Sequence, residues 1–319
     1  MLHVLPHPGG GGETYVGALS RIEGWSAGRC YVSEVYFRRR AQALLHVHGE
    51  GAAALCTPLL SGQPSVVTLH GLHLLRRMEG VRRRLAAANL RRILRAATRT
   101  ICVSQAEMDD VVETAGAQAA RRAVVILNGV APARQPDAAE RAEARKRFSL
   151  AQDAIVGAVV GSLDDVKQPQ VAAQAARQAG VALVFAGEGP LRGEVQAAGG
   201  DIRLAGRLGD VRPVLAAADF FVLPSKREGL SFALLEAMAL GLAPVVSDAP
   251  GNPEAAGDAG IVVRRGDVAG FAAAFARLRD ASLRSALGAR ARARVQAGFR
   301  ADEMLRRTRE VYEEALAGT

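Results

Sequence analysis

The sequence predicts an α/β protein of two successive domains, each built on a doubly wound, mostly parallel sheet. A chain of 319 residues commonly divides into two domains of about 150 residues each. Short apolar runs alternate with helical segments twice, once on each side of a stretch with prolines at 132 and 136. The predicted domains are therefore 1–135 and 136–300. Residues 301–319 are predicted as a C-terminal helix that can cross back to the first domain.

Composition narrows the class of protein. Apolar residues make up 49% of the chain, enough for two cores, and with only 4% aromatic residues the cores must consist mainly of Ala, Val and Leu. No apolar run approaches the roughly 18–20 residues of a membrane span, and the N-terminus lacks the pattern of a secretory signal. Three scattered cysteines are typical of a reducing compartment. We expect a cytoplasmic protein.

Net charge indicates the chemistry of the partners. A formal charge of +9 favours ligands that carry phosphate, or an anionic membrane surface. Nucleic acid is the weakest alternative, because the sequence lacks the interleaved aromatic and basic residues that such binding uses.

The first half contains a series of short predicted strands. They cover 2–5, 44–49, 66–71, 100–104 and 124–129. The second and third each end in His-Gly, which places His48 and His70 at matching strand ends. Since the carboxyl ends of parallel strands meet at one edge, these histidines favour a functional edge. Either one can instead be a satisfied structural residue.

A glycine run, 9–12, follows the first strand, and a helical pattern begins at Thr14. A glycine-rich turn between a strand and a helix brings backbone N–H groups close to a ligand. Its spacing does not match the G-x-G-x-x-G of dinucleotide-binding proteins, and a flexible N-terminal loop is the alternative.

Residues 74–99 form an Arg-dense helical segment in which Glu79 is the only acidic residue. One face of this helix is predicted to be buried, and the opposite face is basic. The predicted buried face carries the apolar residues Leu85, Leu90, Ile93 and Leu94. The basic face is either a solvated surface or a docking face for anionic lipid head groups or a phosphate-bearing acceptor.

The second half repeats the alternation and contains the most informative segment, 224–248. Its predicted strands cover 155–160, 181–186, 201–205, 220–223, 243–247 and 260–263. Glu228 lies in a loop, Ser231 can cap the following helix, and Gly241 can end it. Glu236 lies in that helix among apolar neighbours, so a half-buried carboxylate there requires a dedicated partner such as a pair of sugar hydroxyls.

These motifs, taken together, resemble the retaining glycosyltransferases of family 4. The resemblance rests on Pro224-Ser225-x-x-Glu228-Gly229 followed by Glu236-Ala237-Met238-Ala239-x-Gly241, with Gly187-Glu188-Gly189-Pro190, Asp219 and Asn128-Gly129 around it. It covers nearly the whole length and is strongest over 157–267. It implies the GT-B fold, in which two Rossmann-like domains face each other.

The resemblance also implies roles for individual residues. Glu236 would bind the ribose of a nucleotide sugar, Glu228 would lie beside the donor sugar, and Lys167 would neutralise the diphosphate leaving group. His48 corresponds to a family histidine close to the transferred carbon. Ser162 stands where many relatives have an arginine, so half of the usual cationic clamp is missing. Further implied donor contacts are Gly10, Gly11, Gly12, Gly187, Gly229, Leu230 and Ser231, and His70 is placed on the acceptor side.

The implied reaction is sugar transfer with retained configuration, from a UDP- or GDP-sugar to a glycan, lipid-linked or small-molecule acceptor in cell-surface polysaccharide or glycolipid synthesis. The resemblance implies no cofactor and no metal ion. Two alternatives remain open: a phosphorylase or epimerase of the same fold, and a catalytically idle protein that binds nucleotide sugars. Peripheral contact with the inner face of the membrane, through residues 74–99, is a further expectation.

Overall fold

The computed structural model describes residues 1–6, 11–35 and 43–318. The chain divides into two compact units. The first consists of Met1–Gly129, Glu228–Leu230 and Ala301–Thr319, and the second of Val130–Arg227 and Ser231–Arg300. Within the described ranges, no helix is long and apolar enough to cross a membrane.

The elements of residues 1–129 are short strands separated by helices. They are β1 (Leu2–Leu5), α1 (Gly11–Leu19), β2 (Gly28–Tyr31), α2 (Val32–Val35), β3 (Leu45–His48), α3 (Glu50–Leu60), β4 (Ser65–Thr68), α4 (His73–Arg77), α5 (Gly80–Ala96), β5 (Arg99–Cys102), α6 (Gln105–Ala115), α7 (Ala117–Ala120) and β6 (Ala123–Val125).

The alternation continues to residue 300. These elements are α8 (Ala138–Arg147), β7 (Val156–Val160), α9 (Pro169–Ala179), β8 (Ala182–Ala186), α10 (Arg192–Ala197), β9 (Ile202–Gly206), α11 (Arg212–Ala217), β10 (Phe220–Leu223), α12 (Phe232–Ala239), β11 (Ala243–Ser247), α13 (Asn252–Ala256), β12 (Ile261–Val263), α14 (Val268–Arg277) and α15 (Ala281–Gly298). The last helix, α16 (Ala301–Ala317), belongs to the first unit.

Both sheets are doubly wound. The first has the strand order β2-β1-β3-β4-β5-β6 and the second β12-β11-β10-β7-β8-β9, and the strand pairs are parallel. The winding reverses between β1 and β3 in the first sheet and between β7 and β10 in the second. In open α/β sheets ligands bind at the carboxyl ends of the strands beside such a reversal. Each unit therefore has one topologically favoured position for a ligand.

The two faces of the first sheet differ in chemistry. One face packs in an apolar core with residues such as Val4, Val47 and Val67. The other face carries the buried polar residues His3, His46, His48 and Thr68. Because strand side chains alternate between faces, the residues at every second position share this polar surface.

An ionic cluster holds the amino ends of the central strands β7 and β10 to α8. Asp219 accepts hydrogen bonds from Arg141 at 2.6 Å, from Arg145 at 2.9 Å and from the Val156 N–H at 2.8 Å. The Arg145 side chain is only 2% exposed. Its guanidinium also donates to the carbonyl oxygens of Ala217 and Gln152, so this buried charge is well compensated.

The structure corrects several sequence predictions. The strand β2 was not predicted, because this edge strand has two exposed residues and no apolar alternation. Helix α1 begins at Gly11 rather than Thr14, since the buried Tyr15 and Leu19 stabilise a helix that its glycines disfavour. The capping role of Ser231 is confirmed, because its Oγ accepts a hydrogen bond from the Leu234 N–H. Gly241 ends that helix with a φ of 81°.

The Arg-dense segment is not one helix with one buried face. It divides into α4 and α5 at Met78–Glu79, and Gly80 has a φ of 54°. Leu85 was predicted to be buried but is 66% exposed, beside Val81 at 70%. Leu90, Ile93 and Leu94 are buried as predicted.

Candidate functional site

The site residues of the second unit follow β10, β7 and β8, the two strands at the reversal of its sheet and the strand next to them. Ser162 and Lys167 follow β7, and Gly187 follows the neighbouring strand β8. A Cβ at Gly187 would lie 1.8 Å from the Gly161 carbonyl oxygen, and one at Gly189 would lie 2.4 Å from that of Leu163. Glycine is therefore required at both positions, because the two strand-end loops touch through their backbones.

Asp164 organises the loop that carries Lys167. Its Oδ1 accepts hydrogen bonds of 3.0 Å from the N–H groups of Val166 and Lys167, and its Oδ2 accepts one of 2.6 Å from the Ser162 hydroxyl. Asp165 forms an ion pair with Lys226. Asp164 thus fixes the backbone at Val166 and Lys167.

Glu236 is half-buried in α12, between the buried Leu235 and Ala237. Burial raises the pKa of its carboxyl group, and the nearby charge of Asp210 raises it further. A carboxylate in this environment is stabilised by hydrogen-bond donors that reach it, such as hydroxyl groups.

The first unit carries a buried network of histidines on the polar face of its sheet. Nδ1 of His3 lies 2.9 Å from Nε2 of His48, and Nδ1 of His48 lies 3.2 Å from Nε2 of His70. His46 contacts the hydroxyls of Tyr312 and Thr68, each at 2.8 Å. Helix α16 supplies Tyr312, so the C-terminal helix completes this network.

The buried histidines are neutral near pH 7. Burial lowers the pKa of His46 and His48 well below the usual value, and lowers that of His3 to about 4. In a neutral imidazole one ring nitrogen donates and the other accepts. The tautomers of His3, His48 and His70 are therefore linked. In each hydrogen bond between two of these rings, one nitrogen must donate and the other must accept.

These rings also offer a possible ligand set for a metal ion. The ligand atoms of His3, His46 and His48 lie within 4.8 Å of one another. However, both nitrogens of His46 and both of His48 already have hydrogen-bond partners, as does Nδ1 of His3. Only Nε2 of His3 is buried without one. Hydrogen bonding thus explains this cluster better than a metal ion does.

Glu228 and its neighbours lie in the first unit rather than the second. Glu228 is 5% exposed and Leu230 is 4% exposed. The Nδ2 of Asn128 donates a hydrogen bond of 2.6 Å to the Leu230 carbonyl oxygen. Asn128, which belongs to the Asn-Gly pair of the family pattern, therefore supports the backbone of residues 228–230, here called the glutamate loop.

The predicted site residues thus fall into two groups. The first unit contains Gly11, Gly12, His48, His70, Glu228, Gly229 and Leu230, and the second contains Ser162, Lys167, Gly187, Ser231 and Glu236. Gly11 and Gly12 lie in the first turn of α1 rather than in a loop. Gly10 lies outside the described residues.

Two residues that support the site in the first unit were not predicted from the sequence. His3 was concealed within an apolar strand pattern. Glu107 is fully buried in α6, and its carboxylate accepts hydrogen bonds from the N–H groups of Gly71 and Val103. The only available signal was Ser104-x-x-Glu107, a helix-start pattern that predicts a cap but not this use of the carboxylate.

Comparison with known proteins places both halves of the chain in one group. The family model described as Glycosyl transferases group 1 matches residues 155–280, and the model described as Glycosyltransferase Family 4 matches residues 24–134. Apart from Glu228–Leu230, the first match lies in the second unit, and apart from residues 130–134 the second match lies in the first unit.

Two curated relatives illustrate the similarity. The lipopolysaccharide core biosynthesis glycosyltransferase LpsE of Rhizobium meliloti is 38% identical over 125 residues, which is 36% of this chain and 36% of that protein. The match thus spans about a third of that relative. The UDP-Gal:alpha-D-GlcNAc-diphosphoundecaprenol alpha-1,3-galactosyltransferase of Escherichia coli is 25% identical over 293 residues, 84% of this chain and 74% of that protein.

Among solved structures, HepE of Anabaena in complex with UDP-glucose has the same fold. The two superpose with a TM-score of 0.82 at 16% sequence identity, covering 100% of this chain and 99% of that one. The predicted α/β architecture of two Rossmann-like, mostly parallel sheets is confirmed.

Proposed function

The chain belongs to glycosyltransferase family 4 and has the GT-B fold, and from that premise we propose that it transfers a sugar from a nucleotide diphosphate sugar with retained configuration. The observation that carries the proposal is the surroundings of Glu236. A half-buried carboxylate in an otherwise apolar helix is best explained by a ligand that brings hydroxyl groups to it.

In this proposal the second unit binds the nucleotide. Glu236 accepts hydrogen bonds from the ribose hydroxyls. Lys167 neutralises charge on the diphosphate as the bond to the sugar breaks. The hydrogen bonds of Asp164 support this role, because they fix the Lys167 backbone before the donor arrives. Gly187 and the backbone of Ser231 allow close approach to the phosphates and sugar.

The first unit, in this proposal, acts at the transferred sugar. Glu228 and the amides of Gly229 and Leu230 contact its hydroxyls, and His48 lies near the transferred carbon. The carboxyl end of β3, where His48 lies, borders the reversal of the first sheet, which supports a ligand there. We place Gly10, Gly11 and Gly12 at the diphosphate and His70 on the acceptor side. We propose that the acceptor hydroxyl bonds to the anomeric carbon on the face from which the diphosphate leaves. The bond from that carbon to the diphosphate breaks, an oxygen of the departing diphosphate takes the hydroxyl proton, and no protein carboxylate attacks.

The donor and acceptor classes are suggested by the relatives. The name of the Escherichia coli relative specifies UDP-galactose and a diphosphoundecaprenol acceptor, and HepE was solved with UDP-glucose. We therefore favour a UDP-sugar over a GDP-sugar, and a lipid-linked glycan over a small-molecule acceptor, in glycolipid or cell-surface polysaccharide synthesis. We propose a reaction that uses no cofactor or metal ion.

Helix α5 supports a membrane-facing acceptor. Val81 and Leu85 are exposed, and Leu85 lines a cavity of about 280 Å³ together with Met78 and Leu90. The same helix also exposes several arginines: Arg82, Arg83, Arg84, Arg91, Arg92 and Arg95. Exposed apolar side chains among arginines suit peripheral binding to an anionic bilayer.

The proposal is tested with Glu236→Ala against Glu194→Ala, an exposed glutamate of the same unit. UDP should raise the melting temperature of the wild type more than GDP does at the same concentration. Glu236→Ala should weaken nucleotide binding by roughly tenfold to a hundredfold, since it removes charge-assisted hydrogen bonds, whereas Glu194→Ala should not change it. If Glu236→Ala binds the nucleotide as tightly as the wild type, Glu236 does not bind the ribose.

Ser162 stands where the family pattern has an arginine. This difference favours one alternative, a protein that binds nucleotide sugars without turning them over. Slow release of UDP from donor in the absence of acceptor would exclude it. A phosphorylase would instead form sugar 1-phosphate when inorganic phosphate replaces the acceptor.

A further inference from the structure

Two side chains hold the backbone of the glutamate loop within the first unit. Nη1 of Arg76 donates a hydrogen bond of 2.8 Å to the Glu228 carbonyl oxygen. Nδ2 of Asn128 donates one of 2.6 Å to the Leu230 carbonyl oxygen. The carbonyls on both sides of Gly229 are therefore fixed, each by a different part of the first unit.

Gly229 itself is in tight contact with the loop that follows β4. A Cβ at this position would lie 3.0 Å from the Gly71 nitrogen, from the His70 carbonyl carbon and from Cγ2 of Val103. These distances are shorter than ordinary van der Waals contact, so the segment is held closely against residues 70 and 71.

That loop has an uncommon backbone. His70, Gly71 and Leu72 have φ values of 60°, 116° and 46°, and such values in His and Leu cost roughly 1–2 kcal/mol each. Glu107 stabilises the loop by accepting a hydrogen bond from the Gly71 N–H, and it ties the loop to β5 through the Val103 N–H at 2.7 Å.

Arg76 joins the two segments. The same Nη1 that contacts Glu228 donates to the Gly71 carbonyl oxygen at 3.1 Å. Its Nε donates to Oδ2 of Asp110 at 2.6 Å, and Asp110 thereby orients the guanidinium. The planar guanidinium can span these three acceptors, whereas a lysine ammonium in the same place has neither the reach nor the fixed geometry.

We propose that Arg76, oriented by Asp110 and assisted by Asn128, is a positioning residue that fixes the Glu228 carboxylate relative to His70. The inference rests on the proposed function, in which Glu228 contacts the donor sugar. In the two loops that it joins, Arg76 contacts backbone carbonyl oxygens, and it lies in the unit that does not hold Glu236 or Lys167. Its loss should therefore change the rate of the sugar-transfer step and leave the affinity for the nucleotide unchanged.

The test compares Arg76→Lys with Arg77→Gln, a substitution of the exposed neighbouring arginine. Both are measured for UDP release from a UDP-sugar and for the Kd of UDP. Arg76→Lys should lower kcat by about tenfold to a hundredfold, the scale expected when a reacting group moves by about 1 Å, with Kd for UDP within twofold. Arg77→Gln should match the wild type in both.

A second variant, Asp110→Asn, tests the same positioning role if Arg76→Lys fails to fold. It keeps the shape of the side chain, and it should lower kcat in the same direction without weakening UDP binding. A folded Arg76→Lys or Asp110→Asn with wild-type kcat, or a loss of UDP affinity equal to the loss of kcat, would overturn the positioning role. Failure of the wild type to bind or turn over any donor would instead overturn the proposed function.

Discussion

His48 and His70 are joined by a hydrogen bond of 3.2 Å between Nδ1 of the first ring and Nε2 of the second. The opposite nitrogen of His48 bonds to His3, which is 1% exposed. The residue proposed to lie nearest the transferred carbon is thus held by two other imidazoles. Its orientation and tautomer are set by the interior of the first unit.

This network predicts a particular acid sensitivity. His3 has a pKa of about 4 in the folded protein, against about 6.5 when unfolded. Between these values the unfolded chain binds a proton that the folded chain does not, so the free energy of unfolding falls as the pH falls from about 6.5 to 4. His3 alone should contribute a loss on the order of 3 kcal/mol over that range.

Urea denaturation at several pH values between 7.5 and 4 measures this effect. His3→Gln keeps a hydrogen-bonding side chain but cannot titrate, so its stability should fall less steeply with acid than that of the wild type. Equal slopes in the two proteins would contradict a neutral, buried His3.

Asp219 should be important for stability. It compensates the charge of the buried Arg145 and accepts the Val156 N–H, so Asp219→Ala leaves that buried charge without its counter-charge and that backbone donor without its acceptor. We expect a loss of roughly 3–5 kcal/mol in the free energy of unfolding. Asp201→Ala, which breaks an ion pair with Arg203 at the surface, should cost no more than about 1 kcal/mol. Similar losses in both variants would contradict this role.

Ser162 offers a gain-of-function test. Its side chain is exposed at the carboxyl end of β7, next to Asp164. Ser162→Arg should restore a second cation at the proposed diphosphate position and strengthen UDP binding by roughly threefold to tenfold, the effect of one partly solvated charge-assisted contact. Ser162→Gln, of similar length but neutral, is the control in isothermal titration. Equal affinities would argue that the diphosphate does not lie there.

Helix α5 should bind anionic membranes in a salt-sensitive manner. Flotation with phosphatidylglycerol liposomes at low and high salt measures this, because surface attraction to arginine is screened as the ionic strength rises. Replacing Arg82, Arg83 and Arg84 together by Gln should abolish flotation. Replacing the exposed Arg264, Arg277 and Arg290 removes the same charge from the second unit and should have little effect. Equal loss in both triple variants would indicate an effect of net charge alone.

The architecture could be predicted from the sequence because its signals are local. Apolar runs such as Phe220–Leu223 mark buried parallel strands, and Ser231 and Gly241 mark the ends of a helix through their own backbone chemistry. The edge strand β2 lacked such a signal because it packs on one side only.

The supporting residues of the site could not be predicted in the same way. Arg76 belongs by sequence to an Arg-dense segment, which suggests a solvated side chain, and its partner Asp110 lies 34 residues away. Glu107 contacts Gly71 only because β4 and β5 are neighbours in the sheet. Likewise, assignment of Glu228–Leu230 to the first unit depends on three-dimensional contacts that no spacing in the sequence records.

Retaining transfer from a nucleotide sugar is tested by the anomeric configuration of the sugar that the protein releases. Purified protein is incubated with UDP-galactose or UDP-glucose, and the reaction is followed by proton NMR from its first minutes. We expect release of UDP together with a sugar that first appears with the anomeric configuration of the donor. A sugar that first appears with the inverted configuration would contradict it.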